Sequence, residues 1–181
     1  MNKEKYGVTY RAPTKSLDSI KSNPLSKFAL ALYSSPGVEE TSIALQDSLG
    51  ANVNLLLWCV WLESMSVVLS SEVLYQAEQT IFPLEKNIIA KLRQIRREIK
   101  ARQIDTSKNQ RFYQLIKRLE LLAEMRVIES LWNLSEKYVN KTGSLEQGAN
   151  VKFYLSSLGD REAGNSFISI CDHALAPTNG K

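Results

Sequence analysis

The run Val53-Asn54-Leu55-Leu56-Leu57-Trp58-Cys59-Val60-Trp61-Leu62 constrains the fold of this 181-residue chain more than any other segment. It is apolar on nearly every side of a helix, and such a helix has to be covered by other elements from several directions. Crossing a membrane takes roughly 20 apolar residues with few charges. Extending the run to Leu69 brings in Glu63, Ser64 and Ser66. The pattern therefore predicts the central helix of a bundle over about 53–69, with Asn52 as its N-cap. Residues 1–24 are polar and hold no apolar run of signal-peptide length, so the expected compartment is the cytoplasm, with no membrane contact.

The flanking sequence reads as helices throughout, and the expected fold class is all-α, a helical bundle of about five to six helices. Leu25, Phe28 and Leu32 share one face of a first short helix. Ser35 is expected to cap the next, with Pro36 at its first position, Glu39 and Glu40 against its positive end, and Gly50 after its last turn. This second helix should bury Val38, Ile43 or Ala44, and Leu45. Ser70-Ser71-Glu72 opens a further helix, and Pro83 either begins a new one or kinks the old one.

A long αα-hairpin follows, about 83–102 and 107–140. Ile88, Leu92, Ile95 and Ile99 repeat at four-three-four, the narrow stripe of a helix packed on a partner. Ser107 and Gln110 fit a capping box for the second arm. That arm carries Phe112, Leu115, Leu119 and Leu122, then Ile128, Trp132 and Val139, and Gly143 closes it. The organisation read from these patterns is a polar flexible tail (1–23), a single helical domain (24–140), and a C-terminal extension (141–181) with one or two short helices, one of them over Ala163–Ala174.

The net charge of +4 hides a sharp division. Residues 1–27 carry +4, and residues 28–82 contain six acids and no Lys or Arg. Residues 83–118 then hold eleven basic residues against three acids, and residues 119–181 sum to −2. Lys86, Arg93, Arg97 and Lys100 recur at helical spacing, and Arg96, Arg102, Lys108 and Arg111 extend the charge over the hairpin tip. Such a surface suits an acidic protein face or a ribonucleoprotein. The plainer reading is a solvated face that balances the acidic first half. Phe112 and Tyr113 are the main aromatics in the stretch, which argues against base stacking.

Candidate chemistry is sparse. With 2 Cys and 1 His, a disulfide scaffold and most zinc or di-iron sites are excluded, and no cofactor or metal is expected. No phosphate-cradling Gly-rich loop or hydrolase elbow occurs, so no catalytic residue is assigned and the chain reads as more binding protein than enzyme. Gln46, Asn54, Trp58, Trp61 and Glu63 lie in or beside the apolar helix and are the candidate lining of a pocket, the alternative reading being a small-ligand binder or enzyme. Capping and core packing explain the same residues without a ligand. Cys59 reads as core. Cys171-Asp172-His173 sets a thiol, a carboxylate and an imidazole in sequence, but adjacent helical side chains point apart.

The blocks Phe28–Tyr33, Pro36-Gly37-Val38, Leu45-Gln46-Asp47, Gly50, Val53-Asn54-Leu55-Leu56-Leu57 and Trp61-Leu62 resemble a family of small uncharacterised proteobacterial proteins classed as a domain of unknown function. The likeness runs over about 25–135. Asn52 stands where relatives are expected to carry Asp, an exchange of one good N-cap for another. The resemblance implies a small cytoplasmic bacterial protein and no particular activity. Together these readings favour a cytoplasmic helical adaptor whose basic hairpin contacts an acidic protein or ribonucleoprotein. Homodimerisation through the isoleucine stripe is a third reading.

Overall fold

In a computed structural model, which describes residues 23–101, 107–138 and 146–176, the apolar run forms α3, Val53–Ser64, with the other helices built around it. Before it come α1 (Pro24–Tyr33) and α2 (Val38–Leu49); after it come α4 (Ser71–Leu84), a π-helical turn (Glu85–Ile89), α5 (Ala90–Ala101) and α6 (Ser107–Ser135). The chain ends in α7 (Ala149–Ser157), a 3-10 turn (Glu162–Gly164) and α8 (Asn165–Leu175). The fold is all-α, a helical bundle, with no strand among the described residues.

Every residue of α3 from Asn54 to Leu62 is buried, because α1, α2, α6 and α7 all pack on it. Asn52 caps it as expected, its side chain accepting from Asn54 N at 2.9 Å and Leu55 N at 3.2 Å. The helix stops at Ser64 rather than near Leu69. Ser66 adopts φ 55°, and Val67 N reaches back to Leu62 O at 2.9 Å, the wrap-around bond of a left-handed helix end. The two ends of α2 behave differently. Gly50, at φ 71°, terminates it as the sequence predicts, whereas Ser35 does not cap it. Ser35 and Pro36 belong to a turn closed by Val38 N on Ser35 O, and Gly37, at φ 83°, stands at the N-cap. Val38, Ser42 and Leu45 are the buried face of α2, while Ile43 and Ala44 are exposed.

Pro83 neither starts a helix nor ends one. It cannot donate to the residue four back, and the ladder is absorbed two residues on by the π-helical turn. That turn shifts the face of everything downstream: Ile89 is fully buried, whereas Ile88, the first residue of the expected stripe, is exposed. In α6 the buried apolar and acidic row is Ile116, Glu120, Ala123, Val127, Ile128, Leu131 and Leu134. Its first half is one position out of phase with the expected Phe112, Leu115, Leu119 row, while Ile128 is buried and Trp132 packs on the core as expected.

Helices α7 and α8 pack into the same core as α3, contributing Val151, Tyr154, Leu155, Phe167, Ile168 and Cys171. Two long-range anchors hold them. The Tyr154 hydroxyl accepts from Asn52 N at 2.8 Å, and buried Asn150 accepts from Leu69 N and donates to Val67 O, both at 2.9 Å. The expected tail 1–23, apart from Asn23, which caps α1, the loop 103–106, the side chain of Ser107 proposed as a cap, and Val139 and Gly143 lie outside what is described.

Candidate functional site

The α5–α6 hairpin is the part of the molecule least held by a core. No residue of α5 is buried. Its contact with α6 is made largely by charge: Arg93 Nε donates to Glu120 Oε1 at 3.2 Å and Arg93 Nη2 to Glu124 Oε1 at 2.7 Å. Arg96 donates to both oxygens of Glu120, at 2.7 Å and 3.2 Å. As the numbers rise on α5 they fall on α6, so the helices run antiparallel. Burial works against the Arg93 charge but is outweighed by the Glu124 bond and charge, which hold the guanidinium protonated. Burial pushes the Glu124 carboxyl up, opposed by its bond to Arg93. Two arginines and two glutamates therefore form a paired network in place of an apolar seam.

This network divides the basic residues expected to act together. Lys86, Arg97, Lys100 and Arg111 are exposed, and Lys86 sits 5.1 Å from the Phe82 ring centroid. Arg93 and Arg96 face inward and are committed to glutamates. The proposed single stripe of Lys86, Arg93, Arg97 and Lys100 is thus broken at Arg93. Arg102 and the side chain of Lys108 lie outside what is described. Lys91, Lys117 and Arg118 are exposed on the same hairpin and belong to the same run of charge, though helical spacing alone did not single them out.

The residues proposed to line a pocket are spread over separate structural tasks. Trp58 is fully buried and donates from Nε1 to Ser135 Oγ at 2.7 Å, while Ser135 donates in turn to Leu131 O. Trp61 meets Trp132 edge to face at 5.4 Å. Asn54 donates to Glu85 Oε1 at 3.4 Å, tying α3 to the π-helical turn. Gln46 is half-buried on α2.

Glu63 has a role the sequence did not suggest. Its carboxylate accepts from Gly148 N at 3.1 Å, Asn150 N at 2.7 Å and Val151 N at 3.2 Å. It thereby supplies to α7 the cap that Gly148, at φ 72° and without a side chain, cannot provide. Burial raises the Glu63 pKa, and the three backbone N–H groups oppose that rise. Three of the carboxylate's roughly four acceptor sites are thus spent on capping α7.

The thiols are equally committed. Burial, with Glu63 adding to it, pushes Cys59 well up, and burial followed by the charges of Asp172 and Glu63 takes Cys171 to about 12. Neither is a thiolate near neutral pH. His173 is exposed while Cys171 is buried, so the Cys171-Asp172-His173 set does not converge. Among the described residues no group of three or more His, Cys, Asp or Glu is placed to hold a metal. None of their helices is long and apolar enough to cross a membrane.

A family described as a protein of unknown function, DUF2390, matches residues 24–131. The chain belongs to this family. The DUF2390 match takes in α1 to α5 and most of α6, and so includes every basic residue of the 83–118 segment. Helices α7 and α8 lie beyond it, although they complete the core and receive the Glu63 cap. No curated protein and no solved structure matches the chain.

Proposed function

We propose that this DUF2390 member is a non-enzymatic binding protein of the bacterial cytoplasm, and that the α5–α6 hairpin is its contact surface for an acidic protein. One observation carries the reading. The hairpin holds its own helices together with the Arg93–Glu120–Glu124–Arg96 network and leaves Lys91, Arg97, Lys100, Arg111, Lys117 and Arg118 exposed on the same arm. Charge on a projecting arm steers an oppositely charged partner and sets the salt dependence of its association. An acidic protein face is preferred to a ribonucleoprotein because Phe112 and Tyr113 are too few to stack a run of bases.

The test is affinity purification from the native host, with and without nuclease, comparing wild type with the set Arg97→Glu, Lys100→Glu and Arg111→Glu. All three positions are exposed, so the fold should be unaffected. The expected result is a captured protein that survives nuclease, is released by salt and is absent with the reversed set. Capture that the reversed set leaves intact refutes the reading, and capture abolished by nuclease transfers the surface to RNA.

A further inference from the structure

The apolar pattern of the hairpin is left largely unused by the fold. On the π-helical turn and α5, Ile88, Leu92, Ile95 and Ile99 repeat at four-three-four; on α6, Phe112, Leu115, Leu119 and Leu122 repeat at three-four-three. Both are heptad a/d seams, the address of one helix packing on another. Yet Ile88 is 44% exposed, Ile95 39%, Phe112 49%, Leu115 51% and Leu119 41%, with Leu92, Ile99 and Leu122 half-buried between them. The contact row between the arms lies one residue further on in each: Ile89 at the end of the π-helical turn with Arg93 and Arg96 on α5, and Ile116, Glu120 and Ala123 on α6.

Both seams emerge on the same side of the hairpin. A helix turns by about 100° per residue, so stepping back one position from the contact row carries a side chain out to one flank. For two antiparallel helices the same step on each leads to the same flank. The bonds confirm this from the opposite direction. Arg93 and Glu124, each displaced forward from the centre of its row, meet at 2.7 Å on the other flank. The hairpin therefore presents a two-helix apolar groove on one side and its paired charges on the other. The seams run about 17 Å along α5 and about 15 Å along α6, room for three turns of a docked helix.

The charges beside the groove select what fits it. The outer flanking positions next to the two seams are Lys91 and Glu98 on α5, and Arg111 and Arg118 on α6. Three are basic and one is acidic, and all four are exposed. Flanking charges of this kind set partner choice in helix packing. A second copy of the same hairpin would oppose basic residues to basic residues, whereas a helix with acidic flanks would meet complementary charge. A lipid surface would make no use of heptad spacing on two helices.

From this we infer that the groove receives one amphipathic α-helix of a partner protein, with a heptad apolar seam and acidic flanks, completing a three-helix bundle with α5 and α6. This rests on the proposed docking role of the hairpin and names the form the partner takes.

The probes are three synthetic peptides of about five turns: a leucine heptad seam flanked by Glu, the same seam flanked by Lys, and the Glu peptide with its seam scrambled. Binding to the full-length protein is measured by fluorescence anisotropy at low salt. The Glu-flanked helix should bind at least tenfold more tightly than either control. Leu115→Ser with Leu119→Ser should weaken it at least tenfold, as should Arg111→Glu with Arg118→Glu. Lys137→Glu with Arg161→Glu, exposed and outside the basic surface of the hairpin, should change it less than threefold. Circular dichroism melts check that each variant stays folded, and methyl shifts of Ile88 and Ile95 on peptide addition locate the contact in wild type. Equal binding of the Glu- and Lys-flanked peptides, or binding insensitive to the leucine pair, overturns the inference. So does a concentration-dependent dimer, or adhesion to anionic vesicles, that the leucine pair abolishes. Should lysate capture fail with Arg97, Lys100 and Arg111 reversed but persist with the leucine pair changed, the docking role stands and the groove does not receive the helix.

Discussion

Helices α3 and α5 are each 12 residues long, and they are held in opposite ways. Nine residues of α3 are buried, with one carboxylate at its end and no basic residue; no residue of α5 is buried, and a quarter of it is Lys or Arg beyond the two arginines that face α6. The first is fixed by close packing from several sides, the second by four charged side chains on one side. Packed apolar contact is lost all at once when its elements separate, whereas ion pairs near the surface are screened and tolerate local opening. The bundle thus has a rigid centre and an arm free to exchange contacts, a division that matches the proposed division between scaffold and docking surface.

The largest effect should come from the centre. Trp58→Ala removes a fully buried ring and leaves the Ser135 hydroxyl without its donor. The expected loss is about 3–5 kcal/mol, read by urea unfolding. A loss under about 1 kcal/mol would mean that α3 is not the keystone the comparison makes it. Glu120→Ala tests the arm. It strips Arg96 of its glutamate and Arg93 of one of two, at an expected cost of about 2 kcal/mol. Hydrogen exchange should then quicken along α5 while α3 remains protected. Uniform acceleration would show one cooperative unit instead of two regions.

Glu63 links the centre to the C-terminal helices, and Glu63→Ala should cost about 1–2 kcal/mol, with faster exchange in α7. The same carboxylate gives a pH dependence. Burial raises the native pKa of Glu63 above the usual 4.5, and that of Glu124 likewise. In the window just above pH 4.5 the native state then binds more protons than the unfolded state, so unfolding free energy falls as pH rises through it. Denaturant titrations across this window should show the slope, and Glu63→Gln and Glu124→Gln should each flatten it. An opposite slope that both variants abolish would show that the hydrogen bonds to these carboxylates outweigh their desolvation.

The centre was legible in the sequence and the arm only in part, for a physical reason in each case. Val53–Leu62 has one solution, complete burial, so its place could be read without knowing its neighbours. The Asn52 cap and the Gly50 stop follow from local geometry and were equally plain. In the hairpin the periodicity was read correctly and its direction was not. The π-helical turn after Pro83 moves the buried face from Ile88 to Ile89, and nothing in the spacing announces a one-residue insertion. Arginines on the inner face could not be told from arginines outside until Glu120 and Glu124 were placed opposite them. The cap from Glu63 to α7 joins residues more than eighty positions apart, beyond the reach of any local pattern.

The smallest expected effect distinguishes which region limits stability. Ser66 closes α3 in the left-handed region at φ 55°, where a side chain is strained and glycine is not. Its neighbours already make the wrap-around bonds of the motif, Ser66 N on Glu63 O at 2.8 Å and Val67 N on Leu62 O at 2.9 Å, so glycine can replace serine without moving the chain. Glycine also gives the unfolded chain more freedom, which offsets part of the gain. Ser66→Gly should therefore raise unfolding free energy by up to about 1 kcal/mol. If the centre governs global unfolding, the whole gain should appear in the melting temperature and none in the exchange rates of α5, which opens without α3. Slower exchange in α5 would mean that the arm opens only when the centre does, and the contrast between the two helices would then be one of composition alone.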